Sequence, residues 1–113
     1  MPDFTYFKEI PVAVTVCDSE GIILYMNDKS AATFQKNGGA ELIGRSLFDC
    51  HPGASKEKLR NLLKDTTPNT YTIEKNGVHK MVYQTPWFEN GDSRGFIEFS
   101  FEIPVDIPHF VRS

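Results

Sequence analysis

An α+β fold, with short helices inserted between the second and third strands of one antiparallel sheet, is predicted by three features of this 113-residue chain. Two strand-like segments open the sequence, and a run of three hairpin-connected ones closes it. Helix-periodic segments are confined to the stretch between them, which keeps the strands from alternating with helices as a parallel sheet requires. Asn76-Gly77, between two β-rich segments, is the dipeptide that best tolerates the positive φ angles of a tight hairpin turn.

Each element follows in order. Asp3 to Ile10 predicts a short amphipathic helix, with Phe4 and Phe7 three apart and Pro11 preventing continuation. Val12 to Cys17 is rich in β-branched residues; Asp18-Ser19-Glu20-Gly21 supplies turn chemistry, and Ile22 to Met26 completes a hairpin. Asn27 or Asp28 can cap a helix over Lys29 to Lys36, whose buried side is Ala31, Ala32 and Phe34 and which Asn37-Gly38-Gly39 ends. Ala40 to Ile43 is one further helical turn, and Leu47 to Gly53 is compact and irregular. Ser55 caps a helix to Lys64 in which Leu59, Leu62 and Leu63 form one buried stripe, while Lys56, Lys58, Arg60 and Lys64 make its solvated side. Asn69 to Lys75 and Val78 to Pro86 are strands, Asn90-Gly91-Asp92-Ser93 is a turn, and Gly95 to Ile103 is the last strand.

That last strand organises the rest. Its alternation puts Ile97, Phe99, Phe101 and Ile103 on one face and Glu98, Ser100 and Glu102 on the other. Hydrophobicity alone would turn the phenylalanines toward the core. A carboxylate on a central strand must then be neutral, paired or wet, because burying it unpaired costs several kcal/mol. Lys80, His51 or a bound cation are its available partners, and both a structural pair and ligand recognition fit the residue.

Composition excludes several functions. A net charge of -3 with scattered lysines offers no basic patch for nucleic acid. No apolar run approaches the roughly 20 residues that span a bilayer, and Met1-Pro2-Asp3 lacks a signal-peptide pattern, so the expected address is cytoplasmic. Cys17 and Cys50 suit reduced thiols. Two separated cysteines and three scattered histidines lack the spacing of a zinc site. Cys50 and His51 are adjacent and point apart, so a cysteine nucleophile would need its base from His79 or His109. The best enzymatic reading is acid–base chemistry by Glu98 and His51, but a pocket carboxylate needs no turnover to be there, and no enzyme is expected.

The run Tyr25-Met26-Asn27-Asp28 through Ala31-Ala32, then Glu41-Leu42-Ile43-Gly44-Arg45-Ser46-Leu47 and His51-Pro52, resembles the PAS sensory domain. So do Pro86, Gly91, Gly95 and Glu102-Ile103 near the end, and the likeness covers about residues 10 to 103. Asp49-Cys50-His51-Pro52 and Ile97-Glu98-Phe99 further resemble a bacterial PAS subgroup of unassigned function. The resemblance implies one PAS domain over 1–113: an N-terminal helix (1–10), a five-stranded core (11–103) and a proline-containing tail (104–113). It also implies a cavity between the helices and the inner sheet face.

Matched strand by strand, the resemblance turns Glu98, Ser100, Val82, Gln84, Thr15 and Cys17 toward that cavity, with His51 at its edge, as residues for a small-molecule ligand. Met81, Tyr83, Ile97, Phe99 and Phe101 then face outward, where Phe4 and Phe7 or a second subunit would cover them, and a homodimer is expected. Trp87 and Phe88 are assigned to the same outer surface. The cofactor stays open. Flavin photochemistry is not expected, since Arg45-Ser46-Leu47 replaces the Asn-Cys-Arg of light-sensing relatives and Leu47 has no thiol. Haem relatives often take a ligand from the helix that here spans Ser55 to Lys64, which holds no histidine; His51 just before it remains a haem candidate. Pro104 and Pro108 interrupt the helix through which such sensors usually signal, so a signalling partner or the dimer itself would carry the output. A module that only mediates association is the remaining reading.

Overall fold

The computed structural model describes residues 4–50, 54–64 and 66–113, and of residues 49, 50, 54 and 55 the backbone alone. Five strands form one antiparallel sheet in the order β2-β1-β5-β4-β3. They are β1 (Ala13–Asp18), β2 (Ile23–Met26), β3 (Asn69–Lys75), β4 (Val78–Glu89) and β5 (Asp92–Glu102). The helices are α1 (Thr5–Lys8), α2 (Asp28–Thr33) and α3 (Ala54–Lys64), with 3-10 turns at Gln35–Asn37, Gly39–Leu42 and Leu47–Cys50. No helix among the described residues is long and apolar enough to cross a membrane.

The predicted layout holds, and the boundaries shift for local reasons. The N-terminal helix is a single turn rather than Asp3 to Ile10, since four residues form too few internal bonds to propagate. The helix expected over Lys29 to Lys36 stops at Thr33 and tightens into the Gln35–Asn37 turn, where the Gly38 left-handed residue closes it. Strand β4 runs past Pro86 to Glu89, and β5 begins at Asp92. The turn between them is therefore the two residues Asn90-Gly91, both at positive φ like Asn76-Gly77. Asp18 fixes the β1–β2 turn, its Oδ1 accepting from the Glu20 and Ile22 amides at 2.9 Å each.

Asn27 is the knot of the fold and is 1% exposed. Its Oδ1 accepts from the Ser30 amide at 3.0 Å, capping α2, and from the Val14 amide at 2.9 Å. Its Nδ2 donates to the Val12 carbonyl at 2.7 Å and the Phe7 carbonyl at 2.8 Å. One side chain thus uses both donors and both acceptor sites to hold α1, β1 and α2 together. An exposed ion pair between Lys8 and Asp28, at 3.2 Å, lies over the same junction.

The two sheet edges are treated differently. Beside β2, the Gly44 amide donates to Ile23 O, the Ile23 amide to Arg45 O and the Leu47 amide to Gly21 O, so the edge is covered by backbone. Every residue of β3 is exposed. In the middle, Gly95 lets β5 lie hard against β1: a Cβ there would overlap the Cys17 carbonyl oxygen and come within 2.7 Å of Asp18 Cα. Ile23, Met26 and Leu42 form the small buried core, with Phe34 and Leu47 packed against it.

Candidate functional site

Between the inner face of the sheet and the helical segments lies a cavity of about 420 Å³. Its floor is Ala13, Thr15 and Cys17 of β1, Phe96, Glu98 and Ser100 of β5, Lys80, Val82 and Gln84 of β4, and Tyr71 and Ile73 of β3. Its walls and roof are mostly apolar, from Ile23, Met26, Phe34, Leu42, Leu47, Leu59 and Leu62. A ligand space of this size with few polar groups is the usual build of a small-molecule site.

The strand register places the polar groups in one row. Asn69 stands opposite Gln84, Gln84 opposite Glu98, and Glu98 opposite Thr15. Asn69 Nδ2 donates to Gln84 Oε1 at 2.9 Å, and Gln84 Nε2 donates to Glu98 Oε1 at 2.9 Å. At the far end the Thr15 and Ser30 hydroxyls share a buried hydrogen bond of 2.5 Å. The next rung, Tyr71, Val82, Ser100 and Ala13, carries the Ser100 hydroxyl alongside.

Glu98 is part-buried, and its partner is the Gln84 amide rather than Lys80. Lys80 is on the same floor but opposite Glu102, and it forms no ion pair with a described residue. The carboxylate acts on its surroundings. Tyr71 has its phenol pushed above the ordinary value, by burial first and by the Glu98 charge second. The Cys17 thiol is also pushed up, chiefly by burial; a hydrogen bond with the Phe96 backbone works the other way, and Asp18 and then Glu98 add smaller upward effects. A protonated Cys17 is a poor nucleophile.

Glu98, Ser100, Gln84, Val82, Thr15 and Cys17 all line the cavity. His51 lies outside the described residues, as does the side chain of Cys50. Met81, Tyr83, Phe99 and Phe101 are absent from the lining and alternate with residues that form it. Tyr83 and Phe101 are 37% and 38% exposed. Ile97 also borders the cavity, although strand alternation puts its side chain on the face of Phe99 and Phe101. Phe4 packs on Tyr25 of β2 with ring centroids 4.6 Å apart, and Phe7 is 44% exposed. Trp87 is used within the subunit, its Nε1 donating to Cys17 O at 2.9 Å. His79 lies on the exposed β3–β4 hairpin, 3.3 Å from Glu74.

Sequence reasoning missed the Asn69–Gln84 and Thr15–Ser30 links. Both join residues 15 apart in the chain, and only the strand register or the seating of α2 on β1 reveals them. Among the described residues, no group of three or more His, Cys, Asp or Glu could hold a metal ion.

The comparisons with known proteins agree with this fold. A family model described as PAS fold matches residues 7–103. Among solved structures, a C-terminal domain from Streptococcus mutans superposes with a TM-score of 0.71 at 18% identity, covering 87% of this chain and 80% of that one. The Aer2 receptor of Vibrio cholerae, a dual PAS-heme oxygen sensor, gives 0.64 at 18% identity, covering 82% and 95%. VqmA bound to DPO, a Vibrio cholerae protein, gives 0.67 at 17% identity, covering 89% of this chain and 56% of that one. No curated protein sequence matches the chain.

Proposed function

The chain belongs to the PAS fold family, a family of sensory and signalling modules, and from that premise we propose that it binds a small molecule in the cavity floored by Glu98, Ser100, Gln84, Val82 and Cys17. The observation that carries this reading is the cavity itself: about 420 Å³, mostly apolar, with a carboxylate on its central strand. Ordinary core packing leaves few voids larger than a water molecule. A space of this size on the sheet's inner face is material that the fold could have filled with larger side chains at Ala13 and Ser100. The neighbour VqmA, of similar fold, is bound to DPO, which favours a ligand-binding reading over a scaffold.

Native mass spectrometry of freshly purified protein, followed by a thermal-shift screen of metabolites, tests the reading. The expected result is a bound mass or a ligand-dependent rise in Tm that is lost in Ser100→Trp, a substitution that fills the floor. Protein that carries nothing and responds to no compound overturns it and leaves a module for association only. A Soret band in the absorption spectrum would replace the metabolite by haem.

Self-association through the outer face belongs to the same proposal. Met81, Tyr83, Phe99 and Phe101 form an apolar strip on adjacent strands, with Tyr83 and Phe101 more than a third exposed. VqmA is described as a dimer. Sedimentation should show a dimer that Phe101→Glu converts to monomer; a wild-type monomer at micromolar concentration overturns this part alone. With reduced thiols, a cytoplasmic address completes the reading.

A further inference from the structure

We propose that the cavity selects an organic cation, a compact molecule whose ammonium or amidinium head sits on the free oxygen of Glu98 while its apolar body lies among Met26, Leu42 and Val82. The inference rests on the ligand-binding reading and goes on to name the class of ligand.

Three observations carry it. First, the row of side chains fixes which hydrogen-bonding capacity is left over. Asn69 donates to Gln84 Oε1, which turns the Gln84 amide nitrogen toward Glu98, where it fills Oε1. Rotating Gln84 would forfeit both bonds. Glu98 Oε2 receives no hydrogen bond from a described residue, and an ionised carboxylate can only accept. Second, the neighbours do not satisfy it. The Thr15 hydroxyl across β1 bonds Ser30 and makes no hydrogen bond to Glu98, and Gln84 brings no positive charge. Tyr71, on the adjacent rung of the floor, has its phenol raised by burial first and by the Glu98 carboxylate second, so it offers that oxygen no positive charge. Third, the rest of the lining is mainly apolar, which favours a body without charge and strengthens any ion pair formed at its wall.

Two rivals are set aside by position. Lys80 also reaches the cavity and would prefer an anion, but it lies four residues along β4 from Gln84, about 13 Å at strand rise, opposite the carboxylate of Glu102. A metal ion would need companions, and no cluster of ligating side chains exists among the described residues. An organic head needs one carboxylate and the Ser100 hydroxyl beside it.

The test uses three probes on one skeleton: 4-phenylbutylamine, 4-phenylbutan-1-ol and 4-phenylbutyrate, titrated by calorimetry and NMR into wild type, Glu98→Gln and Ser100→Trp. The amine should bind wild type about tenfold tighter than the alcohol, as a charge-assisted hydrogen bond does over a neutral one. The butyrate should be weakest. Glu98→Gln should bring amine and alcohol to equal affinity. In wild type, the amine should also shift the Glu98 side-chain carboxylate carbon resonance, a readout that does not depend on the variant folding. Equal binding of all three probes, abolished by Ser100→Trp, overturns the cation and leaves the ligand cavity standing. Tightest binding by the butyrate does the same and moves the anchor to Lys80. Binding by none of the three overturns the cation and leaves the ligand-binding reading to the metabolite screen.

Discussion

The two ends of the sheet are built on opposite plans. At the β2–β1 end, buried polar side chains hold the strands to the helices: Asn27 uses its whole hydrogen-bonding capacity, and Thr15 and Ser30 bond each other out of water. At the β3–β4 end, a hairpin with every β3 residue exposed lines the cavity with Tyr71 and Ile73 and is joined to the rest through β4. The first end sets the position of the floor. The second carries the outer margin of that floor on an exposed strand, the kind of element whose local stability is low. The proposed ligand binding uses both: a fixed reference and a part that responds.

Asn27→Ala should break the first plan most severely. It removes the α2 cap and leaves the Val14 and Ser30 amides and the Val12 and Phe7 carbonyls without their partner, so the loss should be about 3 kcal/mol or more. Urea unfolding measures it; a loss below about 1 kcal/mol would mean that water replaces the side chain and that the knot is not what holds this end. Ser30→Ala should cost less, about 1–2 kcal/mol, because only the Thr15 hydroxyl is stranded. At the other end Ile73→Thr, on a residue 45% exposed, should change stability by under about 1 kcal/mol. Amide exchange should show the same gradient, with β1 amides exchanging only on global unfolding and β3 amides through local opening. Uniform protection across the sheet would erase the comparison.

Much of this was legible in the sequence, and the parts that were not share a cause. The Asn76-Gly77 turn, the Leu59–Leu62 stripe and the order of elements follow from local chemistry, which needs no knowledge of what packs where. Asn27 could be read as a helix cap, since that role depends on the next three residues. Its grip on Phe7 and Val12 depends on where β1 and α1 come to lie, 15 and 20 residues earlier in the chain. The inward direction of Glu98 ran against hydrophobicity and came from the resemblance alone. Ile97, Phe99 and Phe101 are as apolar as a core strand, and nothing local says that the core lies on their other side. Gln84 as the partner of Glu98 was equally hidden: with three candidate partners named from charge, the strand register supplied a neutral amide instead.

The finest distinction between the two ends is electrostatic, and Glu98→Gln resolves it. Tyr71 in the open hairpin and Cys17 in the clamped strand are both held above their ordinary values of 10.0 and 9.0, and in both burial is the largest cause. They differ in rank below that. The Glu98 charge is second for Tyr71, but for Cys17 it comes last, after the Phe96 hydrogen bond and Asp18. Removing the charge while keeping the shape should therefore lower the Tyr71 titration visibly and the Cys17 titration less, with burial holding both above ordinary values. The Tyr71 ring resonances by NMR and the alkylation of the Cys17 peptide by mass spectrometry, each followed against pH, read the two sites separately. For Cys17 the linkage sign is fixed: the folded thiol keeps its proton where the unfolded one loses it, so its contribution to stability is complete below pH 9.0 and declines as pH rises beyond. If Cys17 moved as far as Tyr71 or farther, the carboxylate would be acting chiefly on the clamped strand. The open hairpin would then lose its claim to be the side of the cavity that registers charge at Glu98.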